Sequence, residues 1–290
     1  MERWLLVSGS DDMPSEMDMG KNMTPKALTA LQRRLEANAV HGWLSRVDMQ
    51  IIHDVMAHQQ QQGWRGGVVE IGVHMGRSFI PITLFANGDP KYAIDIFGDQ
   101  HLNPERSGWG DLDKFKANLG KFAIDPEDVT IDVNLSSAVE AGAITEAVGA
   151  VRLFHIDGGH DYDAISTDMT LAMETLSETG VIVVDDTFRG EWPDVTAGMF
   201  DALSASPDFR IFAIGFNKSY ICRSHSAEDY REALQSNPFL KMYYQRDYKS
   251  RFGDALVYQT AFNDNWGWRR FALEFLKFRR PHFAERLLGR

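Results

Sequence analysis

Val151-Arg152-Leu153-Phe154-His155-Ile156-Asp157-Gly158-Gly159-His160-Asp161-Tyr162, followed at residues 180–188 by Gly-Val-Ile-Val-Val-Asp-Asp-Thr-Phe, is the stretch whose reading decides the fold. Two short apolar runs, Val151–Ile156 and residues 181–184, each stop at acid: Asp157 after the first, Asp185-Asp186 after the second. Runs of this length and character read as strands buried on both faces of a parallel sheet. Between them Ile165, Met169, Ala172, Met173 and Leu176 recur at helical spacing, and Gly180 reads as a helix stop. The segment is therefore expected to be a strand-helix-strand crossover, with Asp157 and Asp185 brought together at the carboxyl ends of neighbouring strands. Carboxylates gathered there repel one another unless a cation sits among them, and oxygen ligands suit a hard divalent ion such as Mg²⁺. Asp157, Asp185 and Asp186 are the expected metal ligands, Asp186 only if the chain turns, because successive strand residues face opposite sides. The plainer alternative makes Asp185 or Asp186 a helix cap and Asp157 the opening of a Gly-Gly turn.

Upstream, Val68-Val69-Glu70-Ile71-Gly72-Val73-His74-Met75-Gly76-Arg77-Ser78 reads as a strand, a glycine turn and a helix starting near Ser78. Gly72 and Gly76 permit close backbone approach, and the helix N-terminus offers free N–H groups. The spacing is G-x-x-x-G, one glycine short of the dinucleotide fingerprint G-x-G-x-x-G, which counts against a nicotinamide cofactor. Asp95 ends the next apolar run, 19 residues beyond Gly76, where it can accept hydrogen bonds from both ribose hydroxyls of an adenosine. A long polar loop follows at residues 98–111, expected to shape an acceptor site. A helix is expected over 115–122 and a strand over 129–133, after which Asn134-Leu135-Ser136-Ser137 makes the turn that would flank an adenine.

The remaining elements follow from caps and spacing. Thr24-Pro25 opens a helix bearing Leu28, Leu31 and Leu35, and a second helix covers 47–62. His53 and His58 in that helix are expected at the surface or at the boundary of the core. A helix over 195–203 precedes two β-like runs, 209–216 and 219–222, joined by Asn217-Lys218 as a closing hairpin. Residues 225–290 show no clear strand, and 266–290 alternate aromatics with arginine and lysine. That tail reads either as a basic element for an anionic membrane surface or partner, or as packing on the body or a second subunit.

With 290 residues, 44% hydrophobic and 24% charged, the chain has the composition of a globular protein. One cysteine, Cys222, excludes an internal disulfide, and no run approaches the ~20 apolar residues of a membrane span. A cytoplasmic location is expected. The net charge of −11 disfavours general nucleic-acid binding, and it is uneven: 225–290 carry 12 Lys/Arg and 8 Asp/Glu, against 18 and 33 before them. The expected organisation is an N-terminal arm with helices (1–65), a Rossmann-like domain (66–224) and a basic, aromatic extension (225–290).

Glu70-x-Gly72-x-x-x-Gly76, Asp95 and the Asp157/Asp185-Asp186 set together resemble the class I S-adenosylmethionine-dependent methyltransferases. Ile156-Asp157-Gly158-Gly159-His160-Asp161-Tyr162 with Val184-Asp185-Asp186 is most similar to the metal-dependent sugar O-methyltransferases of the macrocin/mycinamicin type, over roughly residues 40–222. The resemblance implies a seven-stranded, mostly parallel α/β sheet with its last strand antiparallel and helices on both faces. It implies that Glu70, Gly72, Gly76, Ser78, Asp95, Ser136, Ser137 and Asp157 surround S-adenosylmethionine, and that Mg²⁺ lies on Asp157, Asp185 and Asp186. His160 becomes the general base and a vicinal hydroxyl of a sugar, glycoside or polyol the acceptor, in a homo-oligomer. A nicotinamide-dependent oxidoreductase and a non-catalytic carbohydrate- or nucleotide-binding accessory protein are the competing readings.

Overall fold

The structure is a computed structural model that describes residues 23–103, 105 and 108–259. Among these, nine strands form one sheet: β1 (Gly67–Ile71), β2 (Lys91–Ile94), β3 (Val129–Asp132), β4 (Val151–Ile156), β5 (Leu176–Val184), β6 (Phe209–Ile214), β7 (Ser219–Arg223), β8 (Tyr244–Ser250) and β9 (Gly253–Tyr258). Their order across the sheet is β3-β2-β1-β4-β5-β7-β6-β9-β8. The first five are parallel to one another, β7 runs antiparallel to both β5 and β6, and β9 is parallel to β6.

The expected seven strands are thus extended by two, from a segment read as strandless. The reason lies in β8, Tyr-Gln-Arg-Asp-Tyr-Lys-Ser, a mostly exposed edge strand whose charges replace the apolar alternation that marks a half-buried one. Because β9 pairs with β6, the sheet continues past residue 224.

Helices cover both faces. On one lie α1 (Pro25–Ala37), α2 (Arg46–Gln61), α3 (Phe79–Ala86) and α4 (Leu112–Lys121), with α8 (Ala227–Ser236) and α9 (Pro238–Tyr243); on the other lie α5 (Ala141–Val148), α6 (Tyr162–Thr175) and α7 (Pro193–Ala205). Local chemistry fixes their starts: Thr24, Ser45, Asp111 and Asp161 each accept the backbone N–H three residues on. No helix among the described residues is long and apolar enough to cross a membrane. Residues 1–22 and 260–290, with the arm and the basic tail expected there, lie outside the described residues.

Two expectations are corrected. Helix α6 stops at Thr175, so Leu176 opens β5 and Gly180 is no helix stop. The β4–β5 pairing jumps from Val151↔Leu176 to Leu153↔Val181, and Gly180 serves that bulge, since a Cβ there would meet Val151 O at 2.7 Å. His53 is buried, not at the surface: its Nε2 accepts the Met23 N–H at 3.0 Å and its Nδ1 lies 2.9 Å from Asp54.

Candidate active site

The parallel register brings four strand tips level. Gly72, Asp95, Asp157 and Asp185 each sit one residue past a strand, and their N–H groups donate to Ile94, Asp132, Ile71 and Ile156 at 2.8–3.1 Å. The row straddles β1 and β4, where the chain's progression across the sheet reverses. In open α/β sheets that is where ligands bind.

Towards β2 and β3 the row is lined by donor-site candidates. Gly72 has φ +80°, and a Cβ on it would strike the Asp157 carbonyl. Its glycine therefore allows two strand tips to close on each other, not a ligand to approach. Glu70 is fully buried; its Oε1 accepts the Ser78 hydroxyl, while Oε2 has no partner. Ser78 is thereby committed to Glu70 and makes no cap bond for α3. Asp95 accepts the His74 N–H at 2.7 Å and the Phe97 N–H at 2.5 Å; burial raises its pKa, against those two bonds. Ser136 and Ser137 lie in a 3-10 turn at 136–138, packed on α6. There Ser136 neighbours buried Asp168, neither of whose oxygens has a partner in hydrogen-bond geometry, and burial pushes Asp168 up to about 7. An orphaned buried oxygen on Glu70 beside an acid at the tip of β2 fits the cationic amine and ribose hydroxyls of S-adenosylmethionine.

Towards β5 the row turns acidic, and the geometry differs from the expected carboxylate trio. Ligand atoms of His155, Asp157 and Asp185 lie within 4.8 Å of one another; Asp186 is not in this group. The chain does turn at Asp186, whose φ is +55°, but the turn carries its carboxylate elsewhere. Asp186 Oδ1 accepts from Arg189 at 2.7 Å and Asn217 at 2.9 Å, and Oδ2 from His160 at 3.0 Å. These three bonds, the one from His160 first, hold its carboxyl well below the usual range despite burial. Asp185 Oδ1 accepts the Asp186 N–H at 2.7 Å, and Oδ2 accepts the ammonium of Lys218, which is 1% exposed. Lys218 Nζ also lies 3.2 Å from His155 Nε2. Burial would discharge Lys218, but Asp185, Asp157 and Asp48 outweigh it and raise its pKa. Asp157 is pushed well up by burial and then by Asp185. All four oxygens of Asp185 and Asp186 already have donors and a cation already lies on the cluster, so as arranged these side chains do not fit an octahedral Mg²⁺.

His160 follows the β4 tip on a Gly-Gly turn. Its ring stacks on Trp192, centroids 4.2 Å apart and planes 15° from parallel. Nδ1 lies 2.6 Å from Glu105 Oε2, and Glu105 Oε1 accepts the His160 backbone N–H at 2.9 Å. A carboxylate only accepts, so Nδ1 carries a proton, and Nε2 facing Asp186 carries the second when the ring is cationic. Burial would lower the pKa of His160, but the bonds to Asp186 and Glu105 prevail and raise it. Trp109 and Phe188 stand exposed nearby in sequence to these groups, at 64% and 49%.

Residues 69–187, from β1 to just past β5, match the family model Methyltransf_24, described as a methyltransferase domain. That stretch is a methyltransferase domain. No curated protein matches the chain. Among solved structures the O-methyltransferase NovP is similar in fold at 16% identity and TM-score 0.55, covering 63% of this chain and 82% of that one. The calicheamicin methyltransferase CalS11 aligns at 14% identity and TM-score 0.47, over 75% and 99% of the two chains. MycE from the mycinamycin pathway, in complex with Mg, SAH and mycinamycin VI, aligns at 14% and 0.47, over 67% and 54%.

Four residues of this candidate site escape the sequence reading: Glu105, His155, Lys218 and Asp168. Glu105 sits in the loop expected to shape the acceptor site but has no local signal of its own. His155 hides inside an apolar run, and Lys218 is one half of a hairpin dipeptide.

Proposed function

We propose that the chain transfers the methyl group of S-adenosylmethionine to a hydroxyl oxygen of a small polar acceptor, with His160 as the base. The observation that carries this is the double clamp on His160 beside Asp157, at the point where the sheet opens. The donor supplies an electrophilic methyl on a sulfonium. The chain's own residues supply the rest. Glu70 and Asp95 hold the donor's amine and ribose, and the turn at 136–138 borders its adenine.

A neutral alcohol is a poor nucleophile until its proton leaves, and a positioned base contributes about 10²–10⁴-fold. When the His160 ring loses one proton, the Nδ1–H stays with Glu105, which also grips the backbone N–H of the same residue. Nε2 is then the free acceptor, and Asp186 retains Arg189 and Asn217. The hydroxyl proton passes to Nε2 as the O–CH₃ bond forms and the S–CH₃ bond breaks, and the stacked Trp192 keeps the ring in its plane. A sugar or glycoside is the acceptor class favoured by the exposed Trp109, whose face suits the apolar side of a pyranose. The divalent ion expected on Asp157 and Asp185 has the 4.8 Å ligand cluster in its favour and Lys218 against it, so no step is routed through it.

His160→Ala is expected to lower turnover ~10²-fold or more and leave donor affinity nearly unchanged. Release of S-adenosylhomocysteine across a panel of glycosides, polyols and catechols measures the first, and calorimetry with S-adenosylmethionine the second. Unchanged turnover would sink the base assignment.

A further inference from the structure

Lys218 is the turn residue of the β6–β7 hairpin, yet its side chain is directed inwards and lies buried behind the strand tips. Two features hold it there. Gly215 N–H donates to the Lys218 carbonyl at 2.8 Å, and a Cβ at Gly215 would strike Asp48 Oδ1, so only glycine lets the hairpin press this close to α2. Asp48 itself is fully buried, with the Ser45 hydroxyl donating at 2.6 Å and the Tyr220 hydroxyl at 2.9 Å. The ammonium therefore has acid on both sides: Asp48 behind it, Asp185 and Asp157 in front. It contacts Asp185 and His155, two of the three side chains whose ligand atoms cluster as a metal site would.

We propose that Lys218 is a built-in counter-ion standing where a divalent metal would otherwise bind, so that this chain works without one. The ammonium neutralises the acidic strand tips, and activation of the acceptor falls to His160, not to chelation of two hydroxyls by an ion. Magnesium requires close octahedral contacts with its ligand oxygens, and Asp185 Oδ2 is held by the ammonium. A dication entering the cluster would also face a buried positive charge of like sign. The proposal rests on the methyl-transfer reading only for its consequence in turnover; its binding test does not.

The test uses the full chain after dialysis against a chelator. Calorimetric titration with Mn²⁺ and with Mg²⁺ is expected to give no binding to the wild type, and EDTA to change methyl transfer by less than about twofold. Lys218→Met removes the charge and keeps most of the stem, leaving the three acids uncompensated. That variant is expected to gain a Mn²⁺ site, seen as a melting temperature that rises with added Mn²⁺ in the variant and not in the wild type. Tight Mn²⁺ binding to the wild type, or turnover abolished by EDTA and restored by Mg²⁺, overturns the proposal while leaving methyl transfer intact. If no acceptor is ever methylated, the functional reading fails and the wild-type titration still decides the role of Lys218. If Lys218→Met does not fold, the wild-type titration again suffices.

Discussion

The two ends of β4 each bury a cation, and they do so differently. Near the amino end Arg152 is fully buried with Nε 2.7 Å from Asp89 Oδ2, Nη1 donating to Gln59 at 2.9 Å and Nη2 to the Ala86 carbonyl at 3.3 Å. Asp89 meets Arg65 as well, at 2.8 Å. At the carboxyl end one ammonium, Lys218, serves Asp48, Asp157 and Asp185. A planar guanidinium spreads its donors over a fixed fork and can saturate a site; an ammonium is a point charge that leaves surplus acid around it. The first arrangement is a clamp between strand and helices. The second retains an imbalance that a substrate, a proton or an ion can change, which is what a reacting site requires.

The largest effect that would separate the ends is on folding. Arg152→Ala leaves Asp89 buried without its main partner and removes the donors to Gln59 and Ala86, and breaking a buried pair in this way costs about 3–5 kcal/mol. Urea unfolding should show that loss, while turnover per folded molecule stays near wild type. A variant as stable as the parent would mean that the saturated end contributes little.

The same contrast explains what could be read in the sequence. Strand β4 falls where the apolar run predicts it, at 151–156, and Asp157 and Asp185 stand at adjacent tips as the crossover predicts. Periodicity reports burial along a local segment, and these elements are decided locally. Neutralisation is not local. The partner of Asp185 lies 33 residues away across a hairpin, and His155 reaches Lys218 over 63 residues, so no spacing rule connects them. Asp186 was legible as an acid needing a turn, and the turn exists, but its destination depended on Arg189, Asn217 and His160 together. Glu105 was illegible for the same reason, being 55 residues from the ring it orients.

A further effect concerns the uncompensated acid beside the turn at 136–138. Asp168 has no buried cation at all, and its folded-state pKa is raised to about 7 from 3.8. A raised value means that the folded chain binds this proton more tightly than the unfolded chain. The associated stability is full below the unfolded value, shrinks as pH rises, and is gone above about 7. Asp168→Asn escapes that loss, so it should be more stable than wild type at pH 8, by at most roughly 4 kcal/mol, the gain vanishing below about pH 4. Thermal melts across that range would show it, and a gain independent of pH would indicate packing instead of ionisation.

The smallest expected effect tests whether the carboxyl end tunes a proton as well as holding charge. His160 is raised by two acids, and a base must be neutral to act, so the acid limb of kcat/KM should lie above the ordinary histidine value of about 6.5. Glu105→Gln preserves the side chain's length and an oxygen for Nδ1–H but removes one of the two charges. The imidazolium then loses part of its stabilisation, and the limb should move to lower pH. At pH above the limb the ring is neutral in both proteins, so their rates should differ only by the weaker orientation of the ring, several-fold at most. The same substitution should leave Arg152 and its clamp untouched, with urea unfolding unchanged to within ~1 kcal/mol. A limb that stays in place while the plateau falls would assign Glu105 to acceptor binding and leave Asp186 alone as the group that sets the charge of His160.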